Sequence, residues 1–444
     1  MSERGDAIKQ KQITYNLQSW SKQKGINPLP VERAEGLYLY DYDGKRYADM
    51  SSMLVNVNLG HQNPVIVNAI KENADKICYL SPPYAVESRA NLAEKVIGLM
   101  PDNFGKVFIT STGTEAVENA VKIARMASGK QKFFSRYRSY HGSTYAGANL
   151  TGEPRRFPSE PGIPGFIKFG DAYLYRAPVP FESDIAAGEY YLRMLEEQIL
   201  MEGCDNIAAI FMESVPGTNG IMIPPANYLP GIRTLCDKYG IFMVMDEVMA
   251  GFGRTGKMFG FEHWGIKPDM VTFAKGVTCG YVQLGGVAVS KKIAEHFDDN
   301  ALLCGHTYAA HPLGCAVGCA TIDYYFEHKV LENVNKVGKV LGELHEGLKA
   351  KYDCVGDVRY IGLFSCVELV KSKTTKEPLV PFRGDKDGIM PKILGELRAR
   401  GFLTYTYENM VFVSPPLTIT EEQLREEYPK LDEVIGIVQE KYAK

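Results

Sequence analysis

Three apolar runs in the middle of the chain end in residues able to do chemistry. AAIFM stops at Glu213, IFMVM at Asp246 and Glu247, and DMVTFA at Lys275, which Gly276 follows. In open α/β sheets ligands collect beyond the carboxyl ends of the strands, so charges at the ends of successive strands face one crevice. A single strand-end charge is ordinarily a solvated loop residue. A lysine with a carboxylate facing the same crevice is a more specific combination. The amine condenses with an aldehyde, and a carboxylate held against a pyridine nitrogen keeps that ring protonated and electron-withdrawing. Pyridoxal 5'-phosphate chemistry needs both groups, which makes Lys275 and Asp246 the candidate catalytic pair.

A phosphate needs its own cradle, and VFITSTGTEAVENAVKIAR supplies one: a strand, a Ser/Thr/Gly turn, then a helix expected to start near Glu115. Amides exposed at a helix start, with hydroxyls beside them, bind phosphate; Thr114 is equally a good ordinary N-cap. In SYHGST the ring of Tyr140 stands beside a glycine turn and is suited to stacking on a flat cofactor, although most such tyrosines are core. The segment GFGRTG, Gly251–Gly256, matches a dinucleotide fingerprint, but that motif requires a helix opening within the glycines and an acidic residue about 20 positions on. Here an aromatic stretch, KMFGFEHWG, follows and the next strand ends in lysine, so nucleotide binding is not expected. Nor is a metal site from His306, His311 and Cys315, whose spacing Pro312 interrupts.

These residues need a scaffold, and the chain is long enough for one. Its 444 residues, 45% hydrophobic, support a large domain and a smaller companion. Fifty basic against fifty-three acidic residues leave a net charge of -3 without long runs of one sign, so nucleic acid and membrane surfaces are not expected partners. The N-terminal MSERGDAIKQKQ lacks the apolar core of a secretory signal, and no apolar stretch reaches about 18 residues, which favours a soluble, cytoplasmic protein. Nine cysteines without a CxxC pair read as reduced thiols.

LYLYDYDGKRYADM alternates around an Asp-Gly turn as a hairpin does. Helical segments at Pro64–Asn73 and Ala90–Leu99 then alternate with the short runs KVFIT, AAIFME, IFMVMDE and DMVTFAK, the pattern of an α/β fold with a mostly parallel sheet. Beyond Pro312 one long helical stretch to about Lys351 precedes VRYIGLFSCVEL and MVFVSP, with a helix between them. The expected division is an N-terminal segment, 1–58, contributing to a small domain; a large cofactor-binding domain, 59–311; and a C-terminal small α+β domain, 312–444.

Taken in order, EGLYLYDYDGKRYADM, NLGHQNP, STGTEAVENAVKIAR, YHGST, MESVPGTNG, VMDEVMAGFGRTG, PDMVTFAKG and GHTYAAHPLGCA cover nearly the whole chain. They resemble the class III pyridoxal-phosphate aminotransferases of fold type I, a group that includes the omega-amino acid transaminases. The resemblance implies that Lys275 carries the cofactor aldehyde and moves the substrate proton, and that Asp246 pairs with the pyridinium nitrogen. It implies further that Gly113 and Thr114 bind the phosphate, and that Tyr140 and Val248 cover the two ring faces. It also implies that Thr307 reaches the phosphate of a neighbouring subunit in a homodimer with active sites at the interface. The reaction implied moves an amino group from an amine donor to a 2-oxo acid.

The substrate is less directly written. Many family members carry an arginine shortly before the C-terminal PPL segment, but in GFLTYTYENMVFVSPPL Tyr405 stands at that position, while Glu213 matches the arginine's usual partner. Arg155 and Arg156 in GEPRRFP are the candidate replacements, because a planar guanidinium suits a carboxylate or sulfonate; the alternative is two solvated loop arginines. Trp20 lies in a segment that lines the substrate pocket in this family. The arginine pair and Trp20 are similar to what the taurine-using branch requires, so the expected donor is taurine, with 2-oxoglutarate or pyruvate as acceptor. Transaminases of β-alanine or 4-aminobutyrate are the alternative. Glutamate-1-semialdehyde aminomutase and dialkylglycine decarboxylase share the same cofactor motifs.

Overall fold

The computed structural model describes residues 2–443. Its centre is a seven-stranded sheet ordered Phe104–Thr110, Gly285–Ser290, Met270–Phe273, Phe242–Asp246, Ile207–Glu213, Lys132–Arg136, Phe166–Phe169. Gly285–Ser290 runs antiparallel to both neighbours, and the pairs from Met270–Phe273 to Phe166–Phe169 are parallel. The four runs read from the sequence are strands of this sheet; Lys132–Arg136, Phe166–Phe169 and Gly285–Ser290, within QLGGVAVS, were not read. Helices on both faces explain why Ile207–Glu213 is buried at every position: a covered parallel sheet needs apolar side chains on both sides.

Two four-stranded sheets complete the architecture. The Asp-Gly hairpin forms as expected, with Tyr38–Asp41 antiparallel to Arg46–Asp49. Asp41 Oδ1 closes its turn by accepting from the amides of Asp43 (3.0 Å) and Lys45 (2.9 Å). The hairpin shares its sheet with Val31–Glu35 and, through a parallel pairing of Phe402 with Ala48, with the C-terminal Phe402–Leu403. The other sheet is ordered Val355–Ile361, Phe364–Leu369, Met410–Val413, Thr406–Tyr407. The helical stretch beyond Pro312 is two helices, Pro312–Glu327 and Val330–Lys351, because Lys329 takes a left-handed φ of 48° and breaks the hydrogen-bond ladder. Among the described residues no helix is long and apolar enough to cross a membrane.

GFGRTG opens no helix at its glycines; it forms a series of turns leading to the short 3-10 helix Gly260–Trp264. Its Arg254 is fully buried and, among the described residues, forms no ion pair with a carboxylate. Instead the guanidinium donates to the carbonyls of Leu363 (2.9 Å) and Pro415 (2.6 Å), to Ser52 Oγ (3.1 Å) and to Asn58 Oδ1 (2.7 Å). Burial pulls its pKa down to about 10. One side chain therefore ties the N-terminal segment, the central domain and two C-terminal loops. Residues 52–55, which it holds through Ser52, form a left-handed turn with four successive positive φ values of 47°, 47°, 65° and 58°, a conformation that non-glycine residues keep only under external constraint. Arg254→Ala leaves several buried acceptors without donors and is expected to lower unfolding free energy by about 3 kcal/mol. The midpoint of a urea titration checks this; an unchanged midpoint would show that the tie carries little.

Candidate active site

Strand register assembles the site. Glu213 pairs with Asp246, and Asp246 with Thr272, so the three lie in one row at the carboxyl ends of adjacent parallel strands. Lys275 follows three residues beyond Thr272, on a left-handed backbone (φ 45°) that opens the 3-10 turn Lys275–Val277. A cavity of about 600 Å³ lies over these strand ends, within the roughly 300–1,000 Å³ usual for small-molecule sites. Lys275, Asp246 and Glu213 line it. Glu247 does not: its carboxylate turns away to accept from the amides of Gly260 (2.7 Å) and Phe261 (3.2 Å), and burial pushes its pKa up to about 7.

Asp246 is buried and paired. Its Oδ2 lies 2.7 Å from Nδ1 of His141, and its Oδ1 accepts from the amide of Val248 at 3.1 Å. A carboxylate offers only acceptors, so this contact places the imidazole proton on Nδ1. His141 belongs to the YHGST motif, and sequence reading missed its role because the partner lies 105 residues away. Glu213 accepts from the amides of Gly217 (2.7 Å) and Tyr140 (3.2 Å), and burial raises its carboxyl above the usual range. Burial also lowers Lys275, whose amine falls from 10.5 to about 8 although Asp246 and Glu213 oppose the shift.

The helix Gly113–Ser128 starts beside these strand ends, with Gly113 close to Val248 and Ala274. Its N-cap is Thr112, whose hydroxyl accepts from the amide of Glu115 at 3.2 Å, so the helix begins two residues earlier than expected and Thr114 is not the cap. Thr114 sits in the first turn and its hydroxyl accepts from the amide of Ser143 at 2.9 Å. The amides of Gly113 and Thr114 have no acceptor within the helix, and both residues line the cavity. A Cβ on Gly113 would meet both γ-methyls of Val248 at 3.0 Å, so only glycine permits this approach.

Tyr140, Val248, Trp20, Arg155 and Tyr405 also line the cavity. The guanidinium of Arg155 lies 3.8 Å from the Tyr140 ring centroid and 5.4 Å from that of Trp20. Its Nη2 is buried without a hydrogen-bond partner, and so is the hydroxyl of Tyr405, whose ring stacks on Phe412 at 4.4 Å. Arg156 is a correction: it lines no part of this cavity. It pairs with Glu160 at 3.0 Å, donates to the carbonyl of Gly152 and lies over Phe157. Thr307 also lies outside the chain's own cavity, exposed, with its carbonyl accepting from Tyr79 at 2.7 Å. His306 approaches Glu115 at 3.4 Å, His311 lies beside the rings of Tyr79 and Tyr308, and among the described residues no metal-binding cluster forms.

A strand-end lysine, a buried carboxylate on the adjacent strand, an aromatic wall and unpaired amides at a helix start match the parts of pyridoxal phosphate: aldehyde, ring nitrogen, ring face and phosphate. Fold and site together define a fold type I pyridoxal-phosphate enzyme. Comparison narrows this. A family model, Aminotransferase class-III, matches residues 20–435. Taurine–pyruvate aminotransferase of Bilophila wadsworthia is 32% identical, with 98% of each chain covered, and gamma aminobutyrate transaminase 2 of Solanum lycopersicum 34% identical, with 90% of each covered. The crystal structure of taurine:2-oxoglutarate aminotransferase from Bifidobacterium kashiwanohense, in complex with PLP and glutamate, superposes with a TM-score of 0.96 at 47% identity over 100% of both chains. The chain belongs to the class III aminotransferases, pyridoxal-phosphate enzymes that move an amino group from an amine donor to a 2-oxo acid.

The tight approach at Gly113 yields a test. Overpacking it costs about 1.4 kcal/mol or more, so Gly113→Ala is expected to weaken pyridoxal phosphate binding about tenfold. Equilibrium dialysis of the cofactor measures this, and unchanged affinity would mean that Val248 yields freely.

Proposed function

We propose that this aminotransferase uses taurine as amine donor and 2-oxoglutarate or pyruvate as acceptor, giving sulfoacetaldehyde and an amino acid. The observation that carries the substrate assignment is Arg155, whose buried and unpartnered Nη2 belongs to a guanidinium lining the same cavity as Lys275. A guanidinium edge binds a sulfonate and a carboxylate alike, so one residue serves both half-reactions. The Tyr405 hydroxyl offers a second donor where many relatives carry arginine, and Trp20 walls the guanidinium. Glu213, its carboxylate held by two backbone amides and its carbonyl by Arg136, lines the same pocket. The likeness to two taurine aminotransferases supports this reading.

When bound, pyridoxal phosphate supplies an aldehyde for amine exchange and an electron-withdrawing ring that acidifies the substrate's amine-bearing carbon. In this reading Lys275 is the covalent anchor and, once released, would be the base that takes the proton from that carbon and delivers it to the carbon that bore the aldehyde. Asp246 keeps a positive charge on the ring nitrogen, and His141 orients Asp246. Gly113 and Thr114 hold the phosphate, Tyr140 and Val248 the two ring faces. Thr307 reaches the phosphate of the neighbouring subunit in a homodimer. The proposed small domain combines residues 1–58 and 312–444 around the large domain 59–311; the pairing of Phe402 with Ala48 supports that grouping. A cytoplasmic location accords with nine cysteines that are all free.

Two measurements test these assignments. With an amine of pKa about 8, the neutral nucleophile grows in as pH rises through that value rather than through 10.5. The rate at which Lys275 of the apoenzyme captures pyridoxal phosphate, trapped by borohydride and mapped to its peptide, is expected to rise from pH 7 to 9 and then level off. A rise continuing past pH 10 would show an unshifted lysine. Loss of a charge-assisted contact costs about 1.5–3 kcal/mol, so Arg155→Ala is expected to raise KM for taurine about 10- to 100-fold while cofactor absorbance stays intact. Ready turnover of β-alanine or 4-aminobutyrate with none of taurine, on a donor panel, would overturn the taurine assignment.

A further inference from the structure

An arginine on a surface-facing turn does not hold one geometry by itself, and Arg155 follows directly on the loop after helix Tyr145–Leu150, at the start of the 3-10 helix Pro154–Ser159. What holds it is Glu153. This carboxylate is only 4% exposed. Its Oε1 takes the Nε–H of Arg155, and its Oε2 accepts from the Arg155 amide at 3.3 Å and from the Tyr407 hydroxyl at 3.0 Å. Tyr407 comes from the small C-terminal sheet, 254 residues away. Glu153 does not line the cavity of Lys275; it lines a second one, of about 490 Å³, that meets the first along Arg155, Thr406 and Tyr407.

We infer that Glu153 is a positioning residue for the substrate-binding arginine, setting which edge of the guanidinium meets the sulfonate or carboxylate. With Nε fixed by Glu153 and one face of the guanidinium on the Tyr140 ring, the terminal Nη2 is a buried donor left without a protein partner. Glu153 acts on substrate only through its neighbours, because the lining of the reactive cavity passes from Arg155 to Tyr407 without it. Its acceptor bond to Tyr407 extends the same constraint to a second lining residue, so two residues of the cavity wall are set by one carboxylate.

This inference rests on Arg155 as the anion-binding residue, and the experiment separates the two. In the holoenzyme, Glu153→Ala is expected to raise KM for taurine and for the 2-oxo acid about tenfold or more, with a much smaller fall in kcat and the cofactor spectrum unchanged. Glu153→Gln keeps an acceptor at the same reach and should restore most of that loss. Glu153→Asp keeps the charge but withdraws the carboxylate by one methylene, and should behave like Ala. In an Arg155→Ala background, Glu153→Gln and Glu153→Asp should become indistinguishable, the mark of an effect transmitted through the arginine. Harm from Arg155→Ala with none from Glu153→Ala or Glu153→Asp would overturn the inference alone. An Arg155→Ala enzyme with unchanged kinetics would overturn the reading beneath it. Melting curves identify any variant that fails to fold, in which case the Gln and Asp pair decides by their difference in KM.

Discussion

A carboxylate at the end of a fully buried parallel strand must be paired, and the contact between Asp246 and His141 at 2.7 Å is the pairing on which the site depends. A buried carboxylate without such a partner bears the full desolvation cost of its charge, and that charge is what a ring nitrogen would be held against. The same burial lowers the amine of Lys275, so one enclosed environment fixes a negative carboxylate and a readily deprotonated amine side by side. Buried charges arranged in this way are costly to stability and mark a functional site.

Around that pair, long-range polar ties do what local structure does not. Arg254 holds the left-handed turn at residues 52–55 against loops from the C-terminal region, and Leu54 of that turn lines the cavity. Arg359, in the small C-terminal sheet, pairs with Asp357 at 2.8 Å and Glu368 at 2.7 Å and donates to the carbonyl of Gly220 at 2.6 Å. Glu368 in turn holds Arg176 at 2.5 Å. These arginines, buried or half-buried, connect parts of the chain that the apolar cores pack but do not register. A guanidinium suits the task because its planar fork reaches several carbonyls at once.

Much of this was legible in the chain itself. The strand-end residues Glu213, Asp246 and Lys275 were readable because apolar runs of strand length end abruptly at a charge, and register then follows from parallel pairing. The helix start was misplaced because two threonines, Thr112 and Thr114, both qualify as caps; Ser143, 29 residues on, engages Thr114 and leaves Thr112 free to cap. Strand Gly285–Ser290 was missed because its paired glycines weaken the strand signal, although close backbone approach to Phe273 is what they permit.

Sequence alone determined the cofactor chemistry, the α/β scaffold and the family, since each rests on local runs and on motifs whose order survives any change of context. Tertiary structure decided which arginine of the pair faces the cavity. Arg155 and Arg156 are adjacent on a 3-10 helix, where successive side chains point about 120° apart, and nothing in the local sequence distinguishes them. Contacts with Tyr140 and, through Glu153, with Tyr407 turn the first inward, while Glu160 holds the second outside. Glu153 and Glu160 are local, but Tyr140 and Tyr407 come from other segments, and only the folded chain brings them to Arg155 and Glu153.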